Sequence, residues 1–346
     1  MNDLKVAVSK VSKTLEAMEL KRKHLSGAIK KIGNTGFRIG DKTKENIVNA
    51  VVKGPVTGRF AGVDGGLLVK GFHGIDLIVT RAVATIFDYE KSKIKKSDYV
   101  KTTPKVFEFE SGSPSELALV AGLRRMELEL LVAIQALEKK PDYLLLDGSI
   151  FPHPSTKAAK LTHRRAYLRV IKLYEGLVTK CKDQGCILIG IVEDSRSRYF
   201  SNMLHDVIVP NLPPKTRELF PNIQNFRDTA LLYDALSYCE KTFTFKLRKV
   251  PEINYGKEIY AFYLKTAKYD RPIRVEFVAE DPQSTGQAIA QAVLGLSTFS
   301  RYGIPSVIIE ADARAKLTRY YMDYIERLLG KVTPLMMRLR REGRPI

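Results

Sequence analysis

Hydrophobic residues recur along the chain with two periods, one typical of helices and one typical of strands. Apolar side chains at every third or fourth position from Leu4 to Ile32 predict a long helix whose opposite face is basic. The same helical period covers residues 42–52, 114–139, 155–184, 283–299 and 311–329. Apolar and β-branched runs predict strands at 59–63, 69–72, 76–87, 143–146, 186–192, 242–247, 259–264 and 274–278. The basic stretch 91–105 is predicted to be an exposed loop.

The order of these elements predicts the fold class. Strands alternate with helices through the middle of the chain, and the strands at 143–146 and 186–192 are apolar throughout. Such strands are typical of a buried, partly parallel sheet that helices cover. We therefore predict an α/β fold with a mixed sheet flanked by helices over 54–346, preceded by an N-terminal helical arm over 1–53.

The charge of the chain favours a polyanionic partner. The sequence has 57 lysines and arginines against 38 aspartates and glutamates, which gives a net charge of +19. Such an excess raises the local concentration of nucleic acid around a protein. Thermophile proteins that bind no DNA are often lysine-rich as well, so charge alone leaves both explanations open.

Several classes of protein are disfavoured by what the sequence lacks. No apolar run is long enough for a membrane-spanning helix, and the first ten residues contain no signal-peptide core, so we expect a cytoplasmic protein without membrane attachment. Cys181, Cys186 and Cys239 are too few for a disulfide framework. There is no P-loop, no histidine pair typical of zinc hydrolases and no GxSxG motif. A carboxylate-bound divalent cation is the chemistry that remains.

Acidic residues follow three of the predicted strands. Asp64 precedes two glycines, Asp147 precedes one glycine, and Asp194 follows the strand at 186–192. In an open α/β sheet, ligands bind beyond the strand ends, so acids at those ends can converge. Converging carboxylates repel one another unless a hard divalent cation lies between them. The alternative, that Asp-Gly is ordinary turn chemistry after a strand, stays open at this point.

Two glutamates on the predicted helix 114–139 differ in their neighbours. Glu127 has leucines at i−4, i+3 and i+4, which places it on the apolar stripe. A buried acid has to be paired, protonated or bound to metal, because an isolated buried charge is costly. We favour a metal role for Glu127, with a buried ion pair to an arginine or lysine as the alternative. Glu129 has Arg125 at i−4, and a solvated salt bridge explains it.

Four short motifs occur in an order and spacing that resemble those of a known family. DGG follows the first strand, MELEL lies in the helix 114–139, and LLLDGS and VEDSRS end later strands. Together they resemble the NurA nucleases, over about residues 60–329. Those proteins are RNase H-like enzymes of archaea and some bacteria that act with the hexameric ATPase HerA in DNA end resection. The resemblance implies an RNase H-like nuclease domain over 54–346.

The resemblance also implies a set of site residues and a cofactor. Asp64, Glu127 and Asp147 correspond to the acidic triad that binds Mn²⁺ or Mg²⁺, as two ions. The implied reaction is two-metal hydrolysis of phosphodiesters in DNA, by 5′–3′ exonuclease and single-strand endonuclease activity. The implied partners are single-stranded DNA, duplex DNA ends, a HerA-like hexameric ATPase and a second copy of the chain in a homodimer. The implied process is the repair of double-strand breaks by homologous recombination.

The sequence departs from the family near its C-terminal end. Many members have a GYPxxLxxAH-like stretch there, whereas residues 303–312 of this chain read GIPSVIIEAD. Ile304 replaces the tyrosine and Asp312 replaces the histidine. Asp312 is a candidate further metal ligand or base, and Tyr302 is a candidate replacement for the phenol. The alternative function is a DNA-binding scaffold of a resection or repair complex with weakened catalysis.

The segment after the strand 186–192 is a candidate DNA contact. Asp194 is a further candidate acid, and Arg196 and Arg198 are candidates for binding phosphates. The alternative is a helix start with surface charges around it. Tyr199 and Phe200 offer a stacking platform for an unpaired base, although an aromatic pair at a helix start is more often part of a core.

The apolar stripe of the N-terminal arm suits a subunit interface if the arm projects from the domain, and packing onto its own domain is the alternative.

Overall fold

The structure is a computed structural model that describes residues 2–39, 42–72, 75–110, 112–152, 161–247, 252–299 and 301–330. The chain divides into two compact units, each made of several segments. The first unit comprises Met1–Gly54, Ile191–Arg248 and Glu258–Pro305, and the second comprises Pro55–Gly190, Lys249–Lys257 and Ser306–Ile346. The domain boundary predicted at residue 54 stays a prediction.

Helices and strands alternate along the chain, as an α/β fold requires. The helices in the described residues are α1 (Asn2–Lys31), α2 (Pro114–Ala136), α3 (Leu161–Asp183), α4 (Tyr199–Met203), α5 (Pro214–Arg217), α6 (Asp228–Ala235), α7 (Pro282–Leu296), α8 (Ser306–Ala315) and α9 (Arg319–Gly330). The strands are β1 (Gly36–Ile39), β2 (Lys42–Asn46), β3 (Val48–Ala50), β4 (Gly58–Gly71), β5 (Asp76–Glu90), β6 (Lys93–Lys101), β7 (Lys105–Phe109), β8 (Tyr143–Asp147), β9 (Ile187–Val192), β10 (Glu240–Thr242), β11 (Phe245–Lys246), β12 (Ile259–Leu264) and β13 (Ile273–Val278). Among these residues, no helix combines the length and apolar character that crossing a membrane requires.

A mixed sheet forms the centre of the second unit, with strand order β9-β8-β4-β5-β6. β4 and β5 form a long antiparallel hairpin, while β4 and β8 run parallel, with Phe60 level with Tyr143 and Val63 level with Leu146. The buried strand β8 is apolar from its second to its fourth residue, as a strand covered on both faces requires. Helix α2 contacts β4, β5 and α3, and α8 contacts β4, β5 and β8. This mixed, helix-covered sheet confirms the predicted fold class.

An antiparallel sheet forms the centre of the first unit, with strand order β3-β10-β12-β13. The C-terminal half of α1 packs on α6 through Leu25, Ile29 and neighbouring buried residues. The N-terminal half of α1 is exposed, and its apolar residues are more than half accessible to solvent. These residues are Leu4, Val6, Val8, Val11, Leu15, Met18 and Leu20. The helix predicted from Leu4 onward is therefore confirmed, and the N-terminal part of its apolar stripe is largely exposed in this unit.

Several element predictions are wrong, and each error has a physical cause. The predicted helix 42–52 is instead the strands β2 and β3, because pairing with β1 and β10 overrides a short helical period. The predicted loop 91–105 contains β6, whose lysines are compatible with a strand because it pairs with β5 and lies at the sheet edge. The predicted helix 311–329 is two helices, α8 and α9. The predicted start of the helix 155–184 lies outside the described residues.

Candidate functional site

Asp64 lies in the middle of β4 and not at a strand end. The strand continues through the two glycines that follow, and Asp64 is paired with Val83 of β5. The prediction that the first strand ends before Asp64 is therefore wrong. The register of β4 on β8 ends with Val63 level with Leu146, so Asp64 comes level with Asp147, the last residue of β8. Parallel pairing thus brings together two of the predicted carboxylates.

The surroundings of Asp64 disfavour its ionised form. The residue is 5% exposed, and burial together with the charges of Asp147 and Asp312 raises its pKa to about 7. The backbone N–H of Gly65 donates a 2.6 Å hydrogen bond to the Asp64 carboxylate, and Arg125 lies near enough to act in the same direction; both oppose that rise. The charges of the neighbouring carboxylates therefore affect the pKa of Asp64 more than the nearby cation does. The Asp64 carboxylate lacks a compensating positive charge.

Glu129 of α2 is the glutamate that lies against β4. A Cβ built at Gly65 would overlap its carboxylate, so Glu129 occupies the space that a side chain at that position would fill. Its side chain is 14% exposed, and its Oε1 has no hydrogen-bond partner, although the Arg125 Nε lies 3.5 Å away. Burial, and next the charge of Asp64, raises the pKa of Glu129 to about 7, against the effect of Arg125. The salt bridge predicted for Glu129 is present, but only its arginine is solvated: the Arg125 side chain is 41% exposed, whereas that of Glu129 is largely buried.

Glu127 is held by two arginines. Its carboxylate accepts from Arg124 at 3.2 Å and lies 2.8 Å from the Nε of Arg169 on α3. Glu127 is buried, as the apolar stripe predicted, but its arginine partners are 38% and 63% exposed, so these ion pairs are only partly buried. Glu129, and not Glu127, lies against Gly65 of β4, on the opposite side of the strand from the Asp64 side chain. That Glu127 is a metal ligand stays a prediction.

Asp312 lies on α8, which approaches β4 closely. A Cβ at Gly62 would lie 2.5 Å from the carbonyl carbon of Val307, so the backbone of the helix contacts the backbone of the strand. The charge of Asp312 contributes to the raised pKa of Asp64. The prediction that Asp312 lies near the carboxylates is consistent with that interaction. Tyr302, by contrast, belongs to the first unit and is 73% exposed.

The NurA domain family matches residues 58–317, about three quarters of the chain. This chain belongs to the NurA family. The matched region begins with β4 and ends just after α8, so it contains all the carboxylates described above. Among curated protein sequences, none matches the chain.

Solved NurA structures share the fold of this NurA chain. The NurA nuclease from Sulfolobus solfataricus is 17% identical with a TM-score of 0.63, and the match covers 96% of this chain and 98% of that one. A NurA structure with manganese is 10% identical with a TM-score of 0.57, covering 94% and 98% of the two chains. A NurA structure bound to dAMP and manganese is 12% identical with a TM-score of 0.54, covering 97% and 98%. At these identities the likeness establishes the fold.

The carboxylates of this NurA chain fit a hard divalent cation by their chemistry. The Glu129 Oε1 is a buried oxygen without a hydrogen-bond donor, and the charge of Asp64 raises the pKa of Glu129, as the charges of Asp147 and Asp312 raise that of Asp64. Oxygen ligands of this kind are those that Mg²⁺ and Mn²⁺ prefer. Within the described ranges, no three acidic, histidine or cysteine side chains are already gathered at the spacing of a bound ion. A cation would therefore have to draw these side chains together.

The predicted DNA contact after β9 lies in the first unit. Asp194 and Arg196 are exposed, and the carboxylate of Asp194 lies 3.7 Å from Arg271. Arg198 is also exposed and immediately precedes α4. Of the next two residues, Phe200 is fully buried in the core, as the favoured interpretation of that aromatic pair predicted, and the half-buried Tyr199 leaves the stacking role as a prediction.

Asp228 is a residue that sequence reasoning missed. It is fully buried, and it accepts hydrogen bonds from the backbone N–H groups of Phe200 and Ser201 and from the hydroxyl of Tyr263. Burial raises the pKa of Asp228, and these hydrogen bonds oppose that rise. Its contacts join the start of α4 to the start of α6, which fixes the segment carrying Arg196. In the sequence, an aspartate at a helix start carries no sign of burial.

Proposed function

We propose that this chain is a metal-dependent deoxyribonuclease whose cation is held by Asp64 and Asp147, with Asp312 from α8 on the side of β4 that Asp64 faces, and with Glu129 reaching the cation from α2 on the other side. The observation that carries this proposal is the Glu129 carboxylate, buried against Gly65 and without a hydrogen-bond donor on one oxygen. Natural proteins seldom leave a buried carboxylate oxygen without a partner, because doing so is costly. A divalent cation would supply the missing partner.

Each side chain has a separate part in this arrangement. Asp64 and Asp147 present adjacent carboxylates from neighbouring parallel strands. Glu129 adds a third carboxylate from α2, and Arg125 orients it through their contact at 3.5 Å. When bound, a divalent cation neutralises charge on a phosphodiester and lowers the pKa of a coordinated water. Glu127 keeps α2 and α3 together through Arg169, which is a structural role.

The finer features of the proposal are supported by the family. We propose Mn²⁺ or Mg²⁺ as the cofactor, because NurA relatives have been solved with manganese. That two ions bind is proposed from the family resemblance alone. We propose DNA as the substrate, attacked as a 5′–3′ exonuclease and a single-strand endonuclease, because one relative binds dAMP and the chain carries a charge of +19. A HerA-like hexameric ATPase is the proposed motor in repair of double-strand breaks, and the proposed assembly is a homodimer. Both follow from the family resemblance.

A cleavage assay on labelled single-stranded and duplex oligonucleotides tests the proposal. We expect products with Mn²⁺ or Mg²⁺, none with EDTA, and none from Asp64→Asn with either metal. Asp64→Asn removes one charge from a crowded site, so it should remain folded. DNA binding without products under every metal condition would instead support the scaffold function. Products from Asp64→Asn at the wild-type rate would remove Asp64 from the mechanism.

A further inference from the structure

A cavity of about 670 Å³ opens on the first unit. Its walls come from α1, the segment after β9, the start of α6 and the turn between β12 and β13. Four arginines line it, one from each of these elements, together with two tyrosines and three acidic residues, Glu19, Asp194 and Asp270. The arginines are Arg22, Arg196, Arg227 and Arg271. Nothing in the proposed cleavage chemistry uses this cavity.

The four arginines differ in how far the protein already satisfies them. Arg22 donates to Glu19, to Asp234 and to the carbonyl oxygen of Ala230, so it is part of the wall. Arg271 lies 3.7 Å from Asp194, and both side chains are mostly exposed, so that pair is weak. Arg196 and Arg227 are exposed and form no ion pair in the part of the chain that the structure describes.

Hydrogen bonds in the cavity wall hold the segments that carry Arg196 and Arg227 close together. The hydroxyl of Thr229 donates to the backbone carbonyl of Ser195 at 3.1 Å, which joins the neighbours of Arg227 and Arg196. Buried Asp228 adds the contacts to the start of α4 described above. The two side chains therefore project from a fixed backbone and not from independent loops.

Two tyrosines give the cavity flat apolar surfaces. Tyr269 is 80% exposed, so its ring is accessible to a ligand, and the ammonium group of Lys268 lies 5.1 Å from the ring centre. Tyr233 is 36% exposed, and the ammonium group of Lys265 lies 4.1 Å from its ring centre. Base rings stack on aromatic side chains of this kind without regard to sequence, while nearby cations bind the phosphates.

We propose that this cavity binds an unpaired DNA strand, with phosphates on Arg196 and Arg227 and a base stacked on Tyr269. Guanidinium groups bind phosphate oxygens through paired N–H donors, which suits two exposed arginines on a fixed backbone. A duplex keeps its bases stacked on one another, so Tyr269 selects for the unpaired strand. The site goes beyond the proposed cleavage centre, and binding here requires no metal ion.

The electrostatic half of the proposal is tested by binding a fluorescent oligo-dT in EDTA, where no cleavage takes place. The double variant Arg196→Gln/Arg227→Gln should bind about tenfold more weakly, with a salt dependence reduced by about 0.7 for each lost phosphate contact. Lys215→Gln is the control, since Lys215 is an exposed cation of the same unit that does not line the cavity. Equal affinities for the double variant and this control would overturn the proposal.

The stacking half is tested with a reporter, because the sequence contains no tryptophan. Tyr269→Trp should show fluorescence quenching when oligo-dT is added, and Tyr269→Ala should bind about fivefold more weakly or worse. Tyr269→Phe should bind as the wild type does, since the ring is kept. Binding without quenching, or equal quenching by a blunt duplex, would overturn the assignment to an unpaired strand. Because all measurements are made in EDTA, their outcome is independent of whether the carboxylates cleave DNA.

Discussion

Replacing Glu129 by glutamine should abolish cleavage and stabilise the metal-free protein. The surroundings of Glu129 raise its pKa from 4.5 to about 7, and one pKa unit corresponds to about 1.4 kcal/mol. Keeping this side chain ionised at about pH 8 therefore costs the folded state about 3 kcal/mol. The shift already includes the favourable effect of the Arg125 charge, so Glu129→Gln removes the whole net cost. The net gain should be about 3 kcal/mol.

The gain can be measured as a shift in melting temperature in EDTA. About 3 kcal/mol corresponds to a rise of about 4 to 8 °C, depending on whether the whole chain or the second unit unfolds cooperatively. Glu127→Gln is the matched control on the same helix, because it removes the partner of Arg124 and Arg169 and should lower the melting temperature slightly. It should retain cleavage. An inactive Glu127→Gln together with an active Glu129→Gln would show that Glu127, and not Glu129, belongs to the metal site.

Three further predictions follow from the same geometry. The free energy of unfolding of the metal-free protein should rise as the pH falls from about 8 to about 5, because a carboxylate with a raised folded-state pKa destabilises the fold only while it is ionised. Calorimetry should show this rise in the wild type and a smaller rise in Glu129→Gln. A fall in the free energy of unfolding would contradict the assigned direction. Gly66→Ala should destabilise the protein by about 2 kcal/mol or more, because the new Cβ would overlap the carbonyl oxygen of Ala315. Gly122→Ala should be neutral or stabilising, because Gly122 lies on α2 with open space around it. Urea titration compares the stabilities of the two variants. Deleting residues 2–18 should convert a dimer to a monomer in light scattering, because these residues expose the apolar stripe of α1; a truncated protein that stays dimeric would remove the arm from the subunit interface.

The sequence predicted the strands that carry Asp64 and Asp147 better than it predicted which glutamate of α2 faces the sheet. Asp64 and Asp147 follow apolar runs, and parallel pairing of β4 with β8 then brings them level, as strand patterns allow one to expect. The apolar stripe of α2 was misleading, because this helix contacts β4 and β5 and also α3. A helix covered on more than one side buries acids in several directions, so neighbouring leucines do not show which acid faces the sheet. The glycine at position 65 was the available signal for Glu129, since it leaves the space that Glu129 fills.

The remaining errors arise from contacts that a local pattern does not contain. β6 carries lysines at four of its nine positions, and only its place at the sheet edge makes that composition compatible with a strand. β2 and β3 are short strands. β2 pairs with β1, which is adjacent in sequence, whereas β3 pairs with β10, which comes from a distant part of the chain. Asp228 and Tyr263 meet across 35 positions of sequence, so neither marks the other in advance.

The glycines of β4 have a consequence for how such a site tolerates sequence change. Positions 62 and 66 accommodate the backbone of α8, and position 65 accommodates Glu129, so β4 is in contact with its neighbours where it has no side chains. The two even positions and the odd one face opposite sides of the sheet, because side chains alternate along a strand. The distance from α8 to the sheet is therefore determined by main-chain contact, and side chains elsewhere on α8 are free to diverge without moving Asp312. A spacing of Gly-x-Asp-Gly-Gly in a strand is then the part of the sequence through which distant relatives with this architecture could be recognised.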